Sequence, residues 1–203
     1  DLAGNTGSDT VTFTVDTIYP VVNITYPTNG AYLDSVAIIW INGTVTELNV
    51  GALNPAINDT GFALASWNGT HFAFYNVTAI PDCSHSYMVS FTDLAGKTGY
   101  DTVYFIVDTT MPLVAITTPV DGHFFDSESV IWINGTFVEK NFNVAGLTIN
   151  HTGFTLAGWT WNSTSFEGNF AFSNITAIAD GYYTVEITIT DLAGKTGHDT
   201  IHF

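Results

Sequence analysis

The sequence has no arginine and only three lysines, Lys97, Lys140 and Lys195, against 19 acidic residues, a formal net charge of −16 over 203 residues. Phosphate binding needs clustered cations, so nucleic acid is excluded as a partner, and an anionic membrane surface is disfavoured. Charged residues of either sign make up 11% of the chain, less than half of ordinary usage. Long apolar runs are missing too. The longest, Val36–Ile41, falls far short of the roughly 20 residues of a membrane-spanning helix. The lone Cys83 excludes an intrachain disulfide, and with only Asp82 and His85 close by it lacks the electropositive setting of a catalytic thiolate. No basic-then-apolar leader opens the chain, so the sequence reads as a mature or internal piece of a secreted protein.

What is present is core material: 46% of residues are hydrophobic and 14% aromatic. A chain this apolar and this poorly charged needs another source of hydration, and covalent sugar would supply it. The material is organised by a repeat. Asp1-Leu-Ala-Gly-Asn-Thr-Gly7, Asp93-Leu-Ala-Gly-Lys-Thr-Gly99 and Asp191-Leu-Ala-Gly-Lys-Thr-Gly197 each lead into an alternating segment, at Asp9–Val15, Asp101–Val107 and Asp199–Phe203. Two of these continue into proline-containing linkers, Asp16-Thr-Ile-Tyr-Pro20 and Asp108-Thr-Thr-Met-Pro112. Trp40-Ile-Asn-Gly-Thr44 matches Trp132-Ile-Asn-Gly-Thr136, and Phe72–Ile80 matches Phe170–Ile178. Residues 17–108 and 109–203 are therefore expected to be two repeats, the second with a loop insertion near 161–168. Residues 1–16 are expected to be the last strand of a preceding repeat, completing a sheet of a continuous chain or of a neighbouring copy.

Within each repeat the pattern is short alternating segments broken by turn residues, with no helix-period stretch above ten residues. In the second copy the segments are Leu113–Thr118, Val130–Val138, Asn143–Ile149, Phe154–Gly158, Asn169–Ile175, Tyr182–Thr190 and His198–Phe203. Seven strands in about 95 residues predict an all-β, seven-stranded sandwich, here in tandem. Asp-x-Ala-Gly-(Asn/Lys)-Thr followed by Thr-Val-x-Phe-x-Val-Asp-Thr-x-x-Pro resembles the immunoglobulin-like repeats of bacterial and archaeal surface-layer proteins, adhesins and extracellular filaments. That resemblance covers essentially the whole chain. It implies spacers and binding modules at the cell surface, with no shared catalytic residues.

Nine Asn-x-Thr sequons stand at Asn23, Asn42, Asn58, Asn68, Asn76, Asn134, Asn150, Asn162 and Asn174. With 16 asparagines and about one Ser or Thr in five residues, chance would give about three, so N-glycosylation is the expected modification. Four pairs occupy equivalent positions, 42 with 134, 58 with 150, 68 with 162 and 76 with 174. Four have an aromatic two residues upstream, namely Trp40, Phe74, Trp132 and Phe172. Residues i and i−2 share a strand face, so each of these rings is a candidate platform for the sugar beside it. In the first repeat Ile39, Ile41, Gly43 and Val45 then point inward, with Trp40, Asn42 and Thr44 outward.

No cofactor is expected. Calcium at the domain junctions has candidates in Asp16, Asp93 and Asp108, with Asp34 or Asp126, but there is no Asp-x-Asp run of the kind a calcium loop uses. His198 and His202 share a strand face, yet zinc needs further ligands. No Asp or Glu stands in a context marking a glycosidase pair. The expected role is therefore a non-enzymatic, glycosylated structural rod at the cell surface. The alternative is an adhesin, whose ligand would stack on Trp159, Trp161 and Phe166 of the insertion.

Overall fold

The computed structural model describes residues 2–34, 37–126 and 130–203; Val36, at the head of the longest apolar run, lies outside them. The first half of the chain contains β1 (Val21–Tyr26), β2 (Ala31–Leu33), β3 (Trp40–Thr46), β4 (Ala56–Ile57), β5 (Phe62–Trp67), β6 (His71–Asn76), β7 (Ser84–Thr92) and β8 (Thr98–Val107). The second contains β9 (Leu113–Thr118), β10 (Trp132–Val138), β11 (Leu147–Ile149), β12 (Phe154–Trp161), β13 (Glu167–Asn174), β14 (Thr184–Thr190) and β15 (Thr196–His202). A single 3₁₀ turn at Val144–Gly146 is the one helical element among the described residues. Contacts group the chain into two compact units, one of Asp1–Asn29, Ile38–Thr78 and His85–Phe105, the other of Gly30–Ala37, Ala79–Ser84 and Ile106–Phe203.

The sheets follow one plan twice. Their strand orders are β1-β3-β6-β5 and β2-β8-β7-β4, then β9-β10-β13-β12 and β11-β14-β15. Alternation in the sequence becomes alternation in burial. Along β3, Ile41, Gly43 and Val45 are buried, as is Ile39 just before the strand, while Trp40 faces out. In the second unit, Val185, Ile187 and Ile189 of β14 share one buried core with Ile133 and Phe137 of β10 and with Phe170 and Phe172 of β13.

The repeated motifs have local physical causes. Gly43 and Gly135 sit mid-strand because a ring lies above them. A Cβ there would stand 2.4 Å from Phe72 Cζ in the first unit and 2.2 Å from Phe170 Cζ in the second. In the Asp-Leu-Ala-Gly-Lys loop, Asp93 Oδ1 accepts from the N–H groups of Ala95 and Lys97, and Asp191 Oδ1 does the same for Ala193 and Lys195, each at 2.8 Å. The aspartate that follows ties the last strand to the first: the Ile24 N–H donates to Asp101 Oδ2 and the Ile116 N–H to Asp199 Oδ2, both at 2.8 Å.

One detail differs from the sequence reading. The six-residue insertion of the second repeat is mostly strand. β12 and β13 each have eight residues where β5 and β6 have six, so the extra length extends a hairpin and enlarges its turn. Trp159 pairs with Phe170 and Trp161 with Gly168 in that extension. Residues 5–20 form no strand in this chain, and Val11, Phe13 and Val15 are exposed.

Candidate functional site

The nine sequons divide by their surroundings. Asn23, Asn58, Asn68, Asn150 and Asn162 are exposed, whereas Asn42, Asn76, Asn134 and Asn174 are half-buried. Asn68 and Asn162 open hairpin turns, where Asn68 Oδ1 accepts from the Thr70 and His71 N–H groups and Asn162 Oδ1 from Thr164. Asn76 and Asn174 are built into a sheet edge. Asn174 Oδ1 accepts from the Ile131 N–H at 2.8 Å while its Nδ2 donates to the Thr176 carbonyl at 3.1 Å. Asn76 makes the same two bonds, with Ile39 and Thr78.

The four aromatics upstream of sequons also divide. Trp40 and Trp132 are 38% and 46% exposed and stand on the outer face with Asn42 and Asn134. Trp40 packs against Tyr75, its cross-strand partner, with ring centroids 5.6 Å apart. Phe74 and Phe172 correct the sequence reading. They are 3% and 2% exposed, and each shares the core face of its strand with the phenylalanine two residues earlier, so no sugar can reach them. For Trp132 a modest effect is expected: Trp132→Ala should lower stability by about 0.5–1.5 kcal/mol in glycosylated protein, the scale of an aromatic contact, and by less once the glycan is removed. Paired thermal melts measure it, and a loss of several kcal/mol independent of sugar would place Trp132 in the core.

The aromatic platform envisaged for the insertion does not form. Trp161 turns inward, donating from Nε1 to the Glu139 carbonyl at 2.8 Å, and both Trp159 and Trp161 pack against Phe142. Only Trp159 of the three is exposed. Among the described residues the His198–His202 pair belongs to no group of three metal-ligating side chains; His202 Nδ1 lies 3.1 Å from Asp121 Oδ1.

Carboxylates, by contrast, are brought together twice. In the first unit Asp16, Glu47 and Asp93, and in the second Asp108, Glu139 and Asp191, each present an oxygen within 4.8 Å of the other two. The two triads occupy equivalent places in the repeat: the linker before the first strand, the end of the strand that begins at the repeated tryptophan, and the Asp-Leu-Ala-Gly loop. Asp34, one of the residues considered from sequence, instead pairs with Lys195 at 2.6 Å. Sequence reasoning found Asp16, Asp93 and Asp108 but missed Glu47, Glu139 and Asp191. A signal was available: in both copies a glutamate follows the linker aspartate by 31 residues and an asparagine follows it by 33.

Each triad is held by its own backbone. Glu47 Oε1 accepts from the Leu48 and Asn49 N–H groups, and Glu139 Oε1 from Asn141. Asn49 Nδ2 donates to Asp16 Oδ2 at 2.7 Å, and Asn141 Nδ2 to Asp108 Oδ2 at 2.6 Å. Asp93 and Asp191 are each 3% exposed, and the second oxygen of each, Oδ2, has no hydrogen-bond partner. Burial pushes the Glu139 carboxyl above its ordinary range, opposed by the Asn141 N–H and reinforced by the charges of Asp108 and Asp191. Burial likewise raises Asp191, opposed by the Lys195 and Ala193 N–H groups, with the Asp108 charge adding to the rise.

No family model and no curated protein matches the chain. Among solved structures it is similar to the fibronectin(III)-like modules of Clostridium thermocellum CbhA, with a TM-score of 0.52 at 13% identity over 90% of this chain and 92% of that one. The titin Ig tandem domains A164-A165 give a TM-score of 0.37 at 7% identity, covering 91% of this chain and 96% of that one. Protocadherin Gamma B7 extracellular cadherin domains 1-4 give 0.37 at 13% identity, with 91% of this chain spanning 49% of that one. The first likeness and the sheet topology together define an all-β protein of the immunoglobulin-like β-sandwich class. Among the described residues no helix is long and apolar enough to cross a membrane.

Proposed function

We propose that this chain is a non-enzymatic structural segment of an extracellular filament, stalk or surface layer, built from tandem immunoglobulin-like repeats and coated with N-linked sugar. The observation that carries the reading is the set of nine sequons, eight of them in pairs at equivalent repeat positions. Five of their asparagines stand exposed, and two of them, Asn68 and Asn162, open hairpin turns that leave room for a bulky glycan. Sugar also accounts for the shortage of charge, since it supplies the hydration that 11% charged residues do not. Two sequence-related repeats of one fold suit spacing better than recognition, for which a single site suffices. The rod reading extends to the N-terminal segment. The apolar face of Val11, Phe13 and Val15, left open, would invite edge-to-edge association, so it pairs with a preceding repeat or a neighbouring copy.

Glycopeptide mapping of native material tests the reading. Modification is expected at Asn23, Asn58, Asn68, Asn150 and Asn162 at least, and fewer than three modified asparagines in all would sink it.

A further inference from the structure

Three carboxylates converge in each unit, and nothing described in the protein neutralises them. Lys97 lies over the Tyr19 ring, 5.1 Å from its centroid, and Lys195 is committed to Asp34. Among the described residues no salt bridge reaches either triad. The Asp93 and Asp191 Oδ2 atoms are buried without a partner, an arrangement that costs stability unless something accepts their charge. Such an orphan in one unit would be an accident of one loop. The same atom orphaned at the same place in both units is a feature of the repeat.

We propose that each triad, Asp16/Glu47/Asp93 and Asp108/Glu139/Asp191, binds one calcium ion. The donors are all oxygen, with no histidine or cysteine in either set, which suits a hard cation rather than zinc or copper. Calcium–oxygen bonds run about 2.3–2.6 Å, so ligands on opposite sides of one ion stand about twice that apart. The 4.8 Å spread of the three oxygens fits around a single ion. Magnesium is the poorer fit, because it keeps most of its water and is usually held by one or two carboxylates.

The ligands are also pre-positioned. Asp93 and Asp191 each spend Oδ1 on two backbone N–H groups, which leaves Oδ2 free for the ion. Asn49 and Asn141 lie against the linker aspartates, and an asparagine side chain turned over presents its carbonyl oxygen where the NH₂ now stands. The bound ion would fasten the linker aspartate of each unit to two segments distant in sequence.

The test uses the full chain, stripped with EDTA and titrated with calcium chloride by isothermal calorimetry. Two ions per chain are expected for the natural sequence, one for Glu139→Gln or Glu47→Gln, and none for the double variant. Absence of binding, or unchanged stoichiometry in the variants, overturns the proposal. In about 2 mM calcium, above the dissociation constants of about 10⁻⁴–10⁻³ M of extracellular calcium modules, the unfolding temperature should rise on the order of 10 °C over EDTA. Glu139→Gln keeps the side chain's shape and separates an ion ligand from a structural glutamate. In EDTA it should melt no lower than the natural protein, because repulsion within the triad is relieved, whereas in calcium it should melt lower. An equal loss in both conditions refutes the proposal. Equal stabilisation by the same concentration of magnesium overturns the assignment to calcium. Because none of these readouts involves sugar, their failure is distinguishable from failure of the glycosylated-rod reading.

Discussion

Gly197→Ala should destabilise the second unit by about 3 kcal/mol or more, the largest effect expected of a single methyl group in this protein. An added Cβ at Gly197 would stand 1.8 Å from the Pro112 carbonyl oxygen and 2.8 Å from its carbon. Both obstructions are backbone, and neither can rotate away as a side chain would. Overpacking typically costs 1–3 kcal/mol, and a backbone-on-backbone clash belongs at or above the top of that range. Gly99 faces Pro20 in the same way at 1.9 Å, which explains why the glycine closing the Asp-Leu-Ala-Gly-Lys-Thr-Gly motif and the proline of the linker occur together. Gly158→Ala is the control. Its Cβ would meet nothing within 4 Å, so the change should be nearly neutral. Chemical denaturation of both variants decides the matter, and a Gly197→Ala protein as stable as the Gly158→Ala control would refute this account of the motif.

Phe172→Ala should cost about 3–5 kcal/mol, and the loss should be the same with and without glycans. The side chain is 2% exposed and packs in the second core beside Phe170, with ring centroids 6.1 Å apart. Deleting it opens a cavity bounded by β10 and β14, two strands locked into their sheets and unable to collapse inward. The contrast with Trp132→Ala is the point of the measurement: both aromatics lie two residues before a sequon asparagine, but one faces the core and the other solvent. If enzymatic removal of sugar changed the Phe172→Ala penalty, its placement in the core would be wrong.

That contrast also shows where the sequence could be read and where it misled. The strand beginning at Trp40 was legible because Asn42, Thr44 and Thr46 set one face polar, leaving Ile41, Gly43 and Val45 on the inner one. The segment Phe72-Ala-Phe-Tyr-Asn76 has aromatics on both faces, and the spacing to the sequon favoured the wrong one. Two phenylalanines at i and i+2 were the better guide, since two large rings on one face make that face the core. Sheet order and the insertion were harder. The added residues around Trp161 carry their turn signal, Asn162-Ser-Thr-Ser165, in the middle, so they lengthen a hairpin where a loop was expected. The carboxylate triads were half legible: their members come from three segments separated by at least 30 residues, and only comparison of the two copies could have joined them.

The sheet-edge bonds of Asn76 and Asn174 bear on the order of events in biosynthesis. A glycosyl-transferring enzyme must take hold of the asparagine amide and the threonine two residues on. In the folded protein the Asn174 amide is already engaged, its oxygen with Ile131 and its nitrogen with the Thr176 backbone. Asn76 is closed in the same way. Sugar destined for these two positions therefore has to arrive while the chain is still extended, before β10 and β13, or β3 and β6, have zipped together. The completed fold then accepts it, because a glycosylated amide keeps one N–H, enough for the bond to the threonine carbonyl. The Asn150 amide, though exposed, is engaged too, its oxygen with the Glu186 N–H and its nitrogen with the Thr184 carbonyl, whereas at Asn23, exposed on β1, attachment faces no such deadline. Partial occupancy at Asn76 and Asn174 and full occupancy at Asn23 would be the record of a race between folding and modification.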